Sequence, residues 1–413
     1  MPRTQEDRTE ISRVVKEILD RVRSEGESAV RHYSEKFDGW NPSSFRVTEE
    51  QIEEAEKKLS ETFIKDVEFA QSQIRNFAEL QLSSLGEFER ETLPGVYLGQ
   101  KHIPVDSCGC YVPGGRYPLI ASAHMSIITA KVAGVKRIVG CTPPQRGELN
   151  PKILYAVKRA GADEVYAIGG VQAIAAMAYG TEDMKPVDMI VGPGNQYVVE
   201  AKRQLFGEIG IDLIAGPSEI LIIADGEADT RIIAADLLGQ CEHDPNARAI
   251  LISTSKKLAE EVLTEIANQL EGLKTRDVAE FSWDKNGEVV VVEGDEEAAS
   301  LADEYAPEHL EFQTREPRWF LDRLKNYGSL FLGEEVTVAY SDKTLGPNHI
   351  LPTLRSSRYT GGLWVGKFLK TVTYQRLTKE GSRNVAPVAE RLCDAEGMLA
   401  HSVTARMREQ KYS

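Results

Sequence analysis

Four residues of this chain form a donor set suited to a divalent cation. Gln240 and His243 stand three apart on a predicted helix, so their side chains share a face. Asp342 and His349 follow in the loop segment Ser-Asp-Lys-Thr-Leu-Gly-Pro-Asn-His. Two neutral imidazoles, one carboxylate and one amide oxygen are a borderline-hard set that suits Zn²⁺ or Mn²⁺. The Gln240/His243 pair alone equally suits the end of a helix before Pro245. Only seven histidines occur in 413 residues. Two others keep similar company: His309 follows Glu308 at a helix-to-strand turn, and His401 lies just over one turn beyond Glu396. Glu308-His309 is a candidate proton-transfer pair, because at a turn two consecutive side chains can reach one cleft; a solvated Glu beside a half-buried His is the alternative. Ser218, in Gly216-Pro-Ser-Glu219, offers a hydroxyl or is a plain turn residue. No Ser/His/Asp or Cys/His arrangement recommends covalent catalysis.

Glycine turns are the second candidate feature. Gly169-Gly170-Val171-Gln172 and Gly192-Pro193-Gly194-Asn195 each follow a predicted strand and open a helix, where backbone N–H groups can approach a phosphate. Tyr111-Val-Pro-Gly114-Gly115 adds an aromatic ring. The G-x-G-x-x-G fingerprint is absent, so ordinary turns account for these glycines equally well.

The elements that must position these groups read as α/β. Strands are predicted at 137–141, 164–168, 187–191, 219–224, 249–253, 288–292, 310–313 and 329–332. Helices at 120–135, 151–160, 172–179, 196–206, 232–241, 257–273 and 296–305 separate them. Strands joined by helices of this length imply right-handed crossovers and parallel sheets. The result is two tandem, incomplete Rossmann-like units with a crevice between them. A charged, helical N-terminal part precedes them: one segment ends at Phe37-Asp38-Gly39, and a second runs from Glu49 to about Glu87. After Gly366 the chain is predicted to turn helical, and its tail, Val385–Gln410, is too short to hold its own core.

A net charge of −15 argues against nucleic acid or an anionic membrane as partner. No run approaches the roughly 18 apolar residues of a membrane span, and the charged N-terminus shows no signal or transit peptide. Five cysteines without a C-x-x-C pair suit a reducing cytoplasm with buried thiols.

Taken in order, Tyr111-Val-Pro-Gly-Gly, Gly170-Val-Gln-Ala-Ile-Ala, Gly192-Pro-Gly-Asn, Gly216-Pro-Ser-Glu, Gln240-x-x-His243, Pro307-Glu-His309, Asn348-His-x-Leu-Pro and Ala395-Glu-Gly-Met-Leu-Ala-His401 resemble the histidinol dehydrogenase family over almost the whole chain. The resemblance implies an enzyme with one Zn²⁺ per subunit that oxidises a primary alcohol to a carboxylate in two NAD⁺-dependent steps. By motif, Gln240, His243, Asp342 and His401 would ligate zinc, His309 would be the general base and Glu308 would activate water. Tyr111, Gln172 and Asn195 would contact NAD⁺; Ser218, His349 and Glu396, together with Gln240, His243, His309, Asp342 and His401, would bind substrate. The expected division is residues 1–30 as an N-terminal helical segment, 31–109 with 219–365 as the zinc and catalytic domain, 110–218 as the NAD-binding domain and 366–413 as a helical tail crossing to a partner in a homodimer. Around the substrate, Gly115-Arg116-Tyr117 through His124, Thr344 through His349 and Arg358 through Lys370 look more like the branch that includes sulfopropanediol 3-dehydrogenase. There Arg116, Arg355, Arg358, Lys367 or Lys370 would hold an anionic tail such as that of 2,3-dihydroxypropane-1-sulfonate; as plain surface charges they carry no such meaning. L-histidinol oxidation, a zinc hydrolase and a non-catalytic metal- or nucleotide-binding homologue are the competing readings.

Overall fold

Short β-branched runs set between amphipathic helices fold here into two parallel sheets of identical strand order. The computed structural model describes residues 5–114, 118–145 and 147–413; Gly115, Arg116 and Tyr117 of the substrate-side motif lie outside the described residues. Strands β1 (Phe88–Leu93) and β2 (Val96–Pro104) form an antiparallel hairpin. The first parallel sheet follows, from β3 (Ser107–Tyr111), β4 (Arg137–Cys141), β5 (Glu164–Tyr166), β6 (Met189–Val191) and β7 (Gly210–Ile211) in the order β5-β4-β3-β6-β7. The second holds β8 (Glu219–Ala224), β9 (Arg248–Ser253), β10 (Gly287–Val291), β11 (His309–Gln313) and β12 (Ser329–Leu332) in the order β10-β9-β8-β11-β12. In each sheet the order reverses beside the first strand, β3 or β8, which is where open α/β sheets leave a crevice. Strand β13 (Leu369–Leu377) joins β2 antiparallel to complete a three-stranded sheet.

Burial explains the regularity of the two units. Every residue of β8 and β11 is buried, as expected for central strands covered by helices on both faces. The N-terminal helices place Val15, Leu19, Val22 and Val30 in the same core as Ile174 and Ile190 of the first unit. Four of the five cysteines are buried and Cys393 is half-buried, all as free thiols. Among the described residues no helix is long and apolar enough to cross a membrane.

Several expectations need correction. The stretch after Gly366 is not helical throughout; a short 3-10 turn gives way to β13, and the helices are Lys379–Ala395 and Leu399–Tyr412. The segment predicted as one helix from Ile120 to Val135 is interrupted by a π-helical turn at His124–Ile128 and stops at Ala133 before Gly134. The N-terminal stretches are each split: Gly26 separates Gln5–Glu25 from Glu27–Asp38, and a Ser60 cap starts Glu61–Ser83 after the short helix Glu49–Glu56. A helix at Arg276–Asn286 was not foreseen.

Candidate active site

The first four residues of the predicted metal and proton-transfer sets meet at the amino-terminal edge of the second sheet. The helix Thr230–Cys241, capped by Asp229, runs back along β8 and ends with Gln240 buried and His243 exposed just beyond it. A backbone bond from His243 N–H to the Gln240 carbonyl, at 3.2 Å, fixes that turn. Gln240 Nε2 donates to Ser218 Oγ at 2.6 Å, and Ser218 Oγ donates to Glu308 Oε2 at 2.5 Å. The Glu219 N–H donates to the same Glu308 oxygen at 2.8 Å. These bonds leave Gln240 Oε1 free to face a cation. They also spend the Ser218 donor on Glu308.

His309, the first residue of β11, hydrogen-bonds through Nδ1 to the Glu219 carbonyl at 2.9 Å. A carbonyl only accepts, so Nδ1 carries the proton and Nε2 keeps its lone pair. Among the described residues that Nε2 is buried without a partner, and so is His349 Nδ1, which lies 4.0 Å from Asp342 Oδ1. Asp342 sits in a π-helical turn, Ser341–Leu345, and His349 reaches Ser122 Oγ at 3.5 Å, beside the other π turn. Single π turns are rare and concentrate at functional sites. The long helix Glu61–Ser83 packs against both turns, and its Gln71 holds His124 at 3.0 Å.

The electrostatics favour a bound cation. Burial lowers the pKa of His309, with Asp342 opposing; it lowers that of His349 to about 4. Desolvation of the His243 ring does the same, opposed chiefly by Asp342. All three imidazoles are therefore neutral at pH 7, the state a metal ligand requires. Burial would raise the Asp342 pKa, but His349, His309, Lys343 and His243 outweigh it, so the carboxylate is ionised. Glu308 is raised to about 8, by burial against the Ser218 and Glu219 hydrogen bonds. Glu219 is raised to about 7 by burial and by Glu308. Two raised carboxyls, one ionised carboxylate and free imidazole lone pairs fit an absent positive charge.

His401 and Glu396 are exposed on the C-terminal helical hairpin, and neither is among the groups that act most strongly on His243, His309, Asp342 or His349. Among the described residues no three His, Cys, Asp or Glu side chains gather as a metal site.

The first sheet places the glycine turns at its carboxyl edge, on either side of the crevice between β3 and β6. Tyr111 ends β3, and its hydroxyl accepts from Gly170 N–H at 3.1 Å. Gly192 follows β6 at φ 119°, where a Cβ would collide with the Tyr111 carbonyl, so only glycine fits. Gln172 is buried; Nε2 donates to Asp38 at 3.1 Å while Oε1 has no partner among the described residues. Asn195 Oδ1 caps its helix by accepting from Tyr197 and Val198 N–H at 2.9 and 3.2 Å, leaving the side-chain amide outward. Two partners escaped sequence reasoning. Asp38 read only as part of the Phe37-Asp38-Gly39 segment end. Lys202 and Asp212 form a buried ion pair that grips both backbone groups of Gly192, through Lys202 Nζ to its carbonyl at 3.0 Å and its N–H to Asp212 Oδ2 at 2.8 Å. Lys202→Met leaves the Asp212 carboxylate buried and uncompensated, so urea unfolding is expected to show a loss of about 3–5 kcal/mol; an unchanged midpoint would remove the clamp.

The cationic candidates occupy different elements. Arg355 is an exposed residue at φ 67°, next to Leu354 at φ 53°. Arg358 bonds the Glu304 carbonyl, Lys367 lies in a short 3-10 turn and Lys370 is on β13. Leu354 N–H reaches Glu219 Oε1 at 3.2 Å, which brings the strained corner to the edge of the site. Arg116 lies outside the described residues.

Known proteins of this architecture share the whole chain. The sequence pattern of the histidinol dehydrogenase family matches residues 1–409. A histidinol dehydrogenase homolog of Shouchella clausii is 54% identical over 97% of this chain and 95% of its own length. Sulfopropanediol 3-dehydrogenase of Ruegeria pomeroyi is 46% identical over 98% of this chain and 94% of its own. The crystal structure of histidinol dehydrogenase from Elizabethkingia anophelis superposes with a TM-score of 0.93 at 34% identity, covering 97% and 92% of the two chains. The chain belongs to the histidinol dehydrogenase family of NAD-dependent oxidoreductases that act on CH–OH groups.

Proposed function

We propose that this enzyme oxidises a small anionic diol, of the kind represented by 2,3-dihydroxypropane-1-sulfonate, through a bound aldehyde to the carboxylate, with Zn²⁺ and two NAD⁺ per turnover. The observation that carries the chemistry is the buried, unpartnered His309 Nε2 beside a Glu308 carboxyl whose pKa is about 8. Gln240, His243 and Asp342 hold the metal, with His401 arriving from a second copy of the chain. Support for that second copy is the apolar surface left open on the C-terminal hairpin by Val388, Leu392, Leu399, Val403 and Met407. The division of labour follows the sheets: 110–218 takes NAD⁺ at Tyr111, Gln172 and Asn195, 31–109 with 219–365 carries the chemistry, 366–413 crosses to the partner and 1–30 packs on the first unit.

When bound, zinc supplies a Lewis acid that orients the alcohol oxygen, and NAD⁺ accepts hydride. His309 Nε2 takes the hydroxyl proton, held in place by Nδ1 on the Glu219 carbonyl. Glu308, as carboxylate, takes a proton from the water that adds to the aldehyde. Ser218 keeps Glu308 aimed, and His349 and Glu396 are positioned for the remainder of the substrate. The sulfonate preference rests on the motifs around His124, His349 and Arg358; the sulfopropanediol enzyme is 46% identical. L-histidinol is the second reading, because every zinc and catalytic position is filled.

Purified enzyme with NAD⁺ and each alcohol is expected to form NADH with the sulfonate diol and to lose that activity on chelation. NADH from L-histidinol alone overturns the substrate, and no NADH from any alcohol overturns the reading. Zinc added to metal-free protein near pH 7 is expected to release between about one and about one and a half protons per site, because the neutral histidines have none to lose while Glu308 and, in part, Glu219 do. A pH indicator in weak buffer reads the release.

A further inference from the structure

Three polar side chains line the middle of the second sheet, and the reaction uses only the first. Side chains alternate along β11. Leu310 and Phe312 face the apolar layer of Phe320 and Leu324. His309, Glu311 and Gln313 are registered with Ile220, Ile222 and Ala224 of β8, whose side chains pack with the helix Thr230–Cys241. Glu311 is fully buried there and Gln313 nearly so. A charged carboxylate in such a place is costly unless something compensates it.

What meets Glu311 is another carboxyl. Asp236, on the helix, accepts from Thr337 Oγ1 at 2.8 Å and from Gln313 Nε2 at 3.2 Å. Val338 N–H donates to Glu311 Oε1 at 3.3 Å. Among the described residues Glu311 Oε2 is buried with no donor, and Asp236 is the neighbouring side chain that acts most strongly on Glu311. The groups that act most strongly on the two carboxyls include, among the described residues, no lysine, arginine or histidine. Burial and Asp236 hold the Glu311 pKa well above the carboxylate range. A buried Glu311 and a half-buried Asp236 that share the neighbours Gln313 and Thr337–Val338, with no donor on Glu311 Oε2 among the described residues, leave a donor missing, and a proton is the smallest one.

We propose that Glu311 and Asp236 share one proton, and that this carboxyl–carboxylate hydrogen bond is a positioning brace for the metal site. It ties together three segments, two that carry metal ligands and one that carries the general base beside them. β11 carries His309 two residues before Glu311. The helix carries Gln240 one turn after Asp236. The segment at Thr337–Val338 leads into the π turn bearing Asp342. The brace touches neither metal nor substrate, so it acts through the angle and distance at which those three groups converge. It rests on the reading that Gln240, His243 and Asp342 hold zinc.

The test uses two variants of full-length enzyme. Glu311→Gln keeps a neutral carbonyl for Val338 N–H and an N–H donor for Asp236, so zinc affinity is expected to stay within about twofold of the parent. Glu311→Leu keeps the volume and removes the bond. Its zinc affinity, read by competition with a chromophoric chelator, is expected to fall about 10- to 100-fold, the usual effect of losing an outer-shell partner, with thermal unfolding still cooperative. Leu at parental affinity, or Gln falling as far as Leu, overturns the brace. The proton is read separately in metal-free protein: the infrared difference between parent and Glu311→Gln should contain the C=O stretch of a protonated carboxylic acid, and its absence overturns the shared proton. That measurement decides the question even where Glu311→Leu does not fold. A parent that fails to bind zinc sinks the proposed function while leaving the infrared result standing.

Discussion

His309→Ala is expected to lower kcat by about 100- to 10,000-fold, the span that a positioned general base contributes, while zinc content and the unfolding midpoint stay near the parental values. The split follows from the bonds that hold the ring. Nδ1 is occupied by the Glu219 carbonyl, and burial keeps the ring neutral, so Nε2 is a free base at pH 7. The metal set does not include it. Stopped-flow NADH formation and metal analysis on the same sample read both halves. Parental turnover in the variant would remove His309 from the chemistry. Glu308→Gln separates the two oxidations: hydride transfer from the alcohol survives, but water is no longer activated. The NADH formed per alcohol consumed, with an aldehyde trap present, should drop from about two toward about one. The sign of the pH dependence agrees. A carboxyl with its pKa raised to about 8 is mostly protonated at pH 6, so in metal-free protein its base form grows as pH rises, and a bound cation moves that growth to lower pH.

What the sequence discloses depends on whether a residue's neighbours in space are also near in the chain. The strands 219–224 and 329–332 were readable to the residue because apolar runs in a covered sheet are bounded by turns and helices. β1 was not, because Phe-Glu-Arg-Glu-Thr-Leu is exposed along its whole length and has no buried stripe. β13 shares that character and was read as helix. Gln240 and His243 were legible as a pair from their spacing, but the helix ends at Cys241 and the turn closed by His243 N–H on the Gln240 carbonyl, rather than one helix face, joins them. The link from Gln240 through Ser218 to Glu308 spans two strand ends and a helix end, and no spacing predicts it. Lys202 with Asp212, and Glu311 beside a half-buried Asp236, each resemble ordinary solvated charges until the fold encloses them.

Mixing subunits that carry His243→Ala with subunits that carry His401→Ala is expected to restore activity that neither variant shows alone. Within one chain His401 is exposed on the C-terminal hairpin and is not among the groups that act most strongly on His243 or Asp342. Under the proposed exchange, each site takes His243 from one chain and His401 from the other. Random reassembly makes half of the dimers mixed. In a mixed dimer both substitutions fall in one site and the second site is intact, so about a quarter of all sites recover. If His401 instead served its own chain, every site in a mixed dimer would keep one lesion and the mixture would stay inactive. The two arrangements therefore predict different activities from the same tube. Turnover measured after refolding the mixture, against each variant refolded alone, decides whether the fourth ligand crosses the interface.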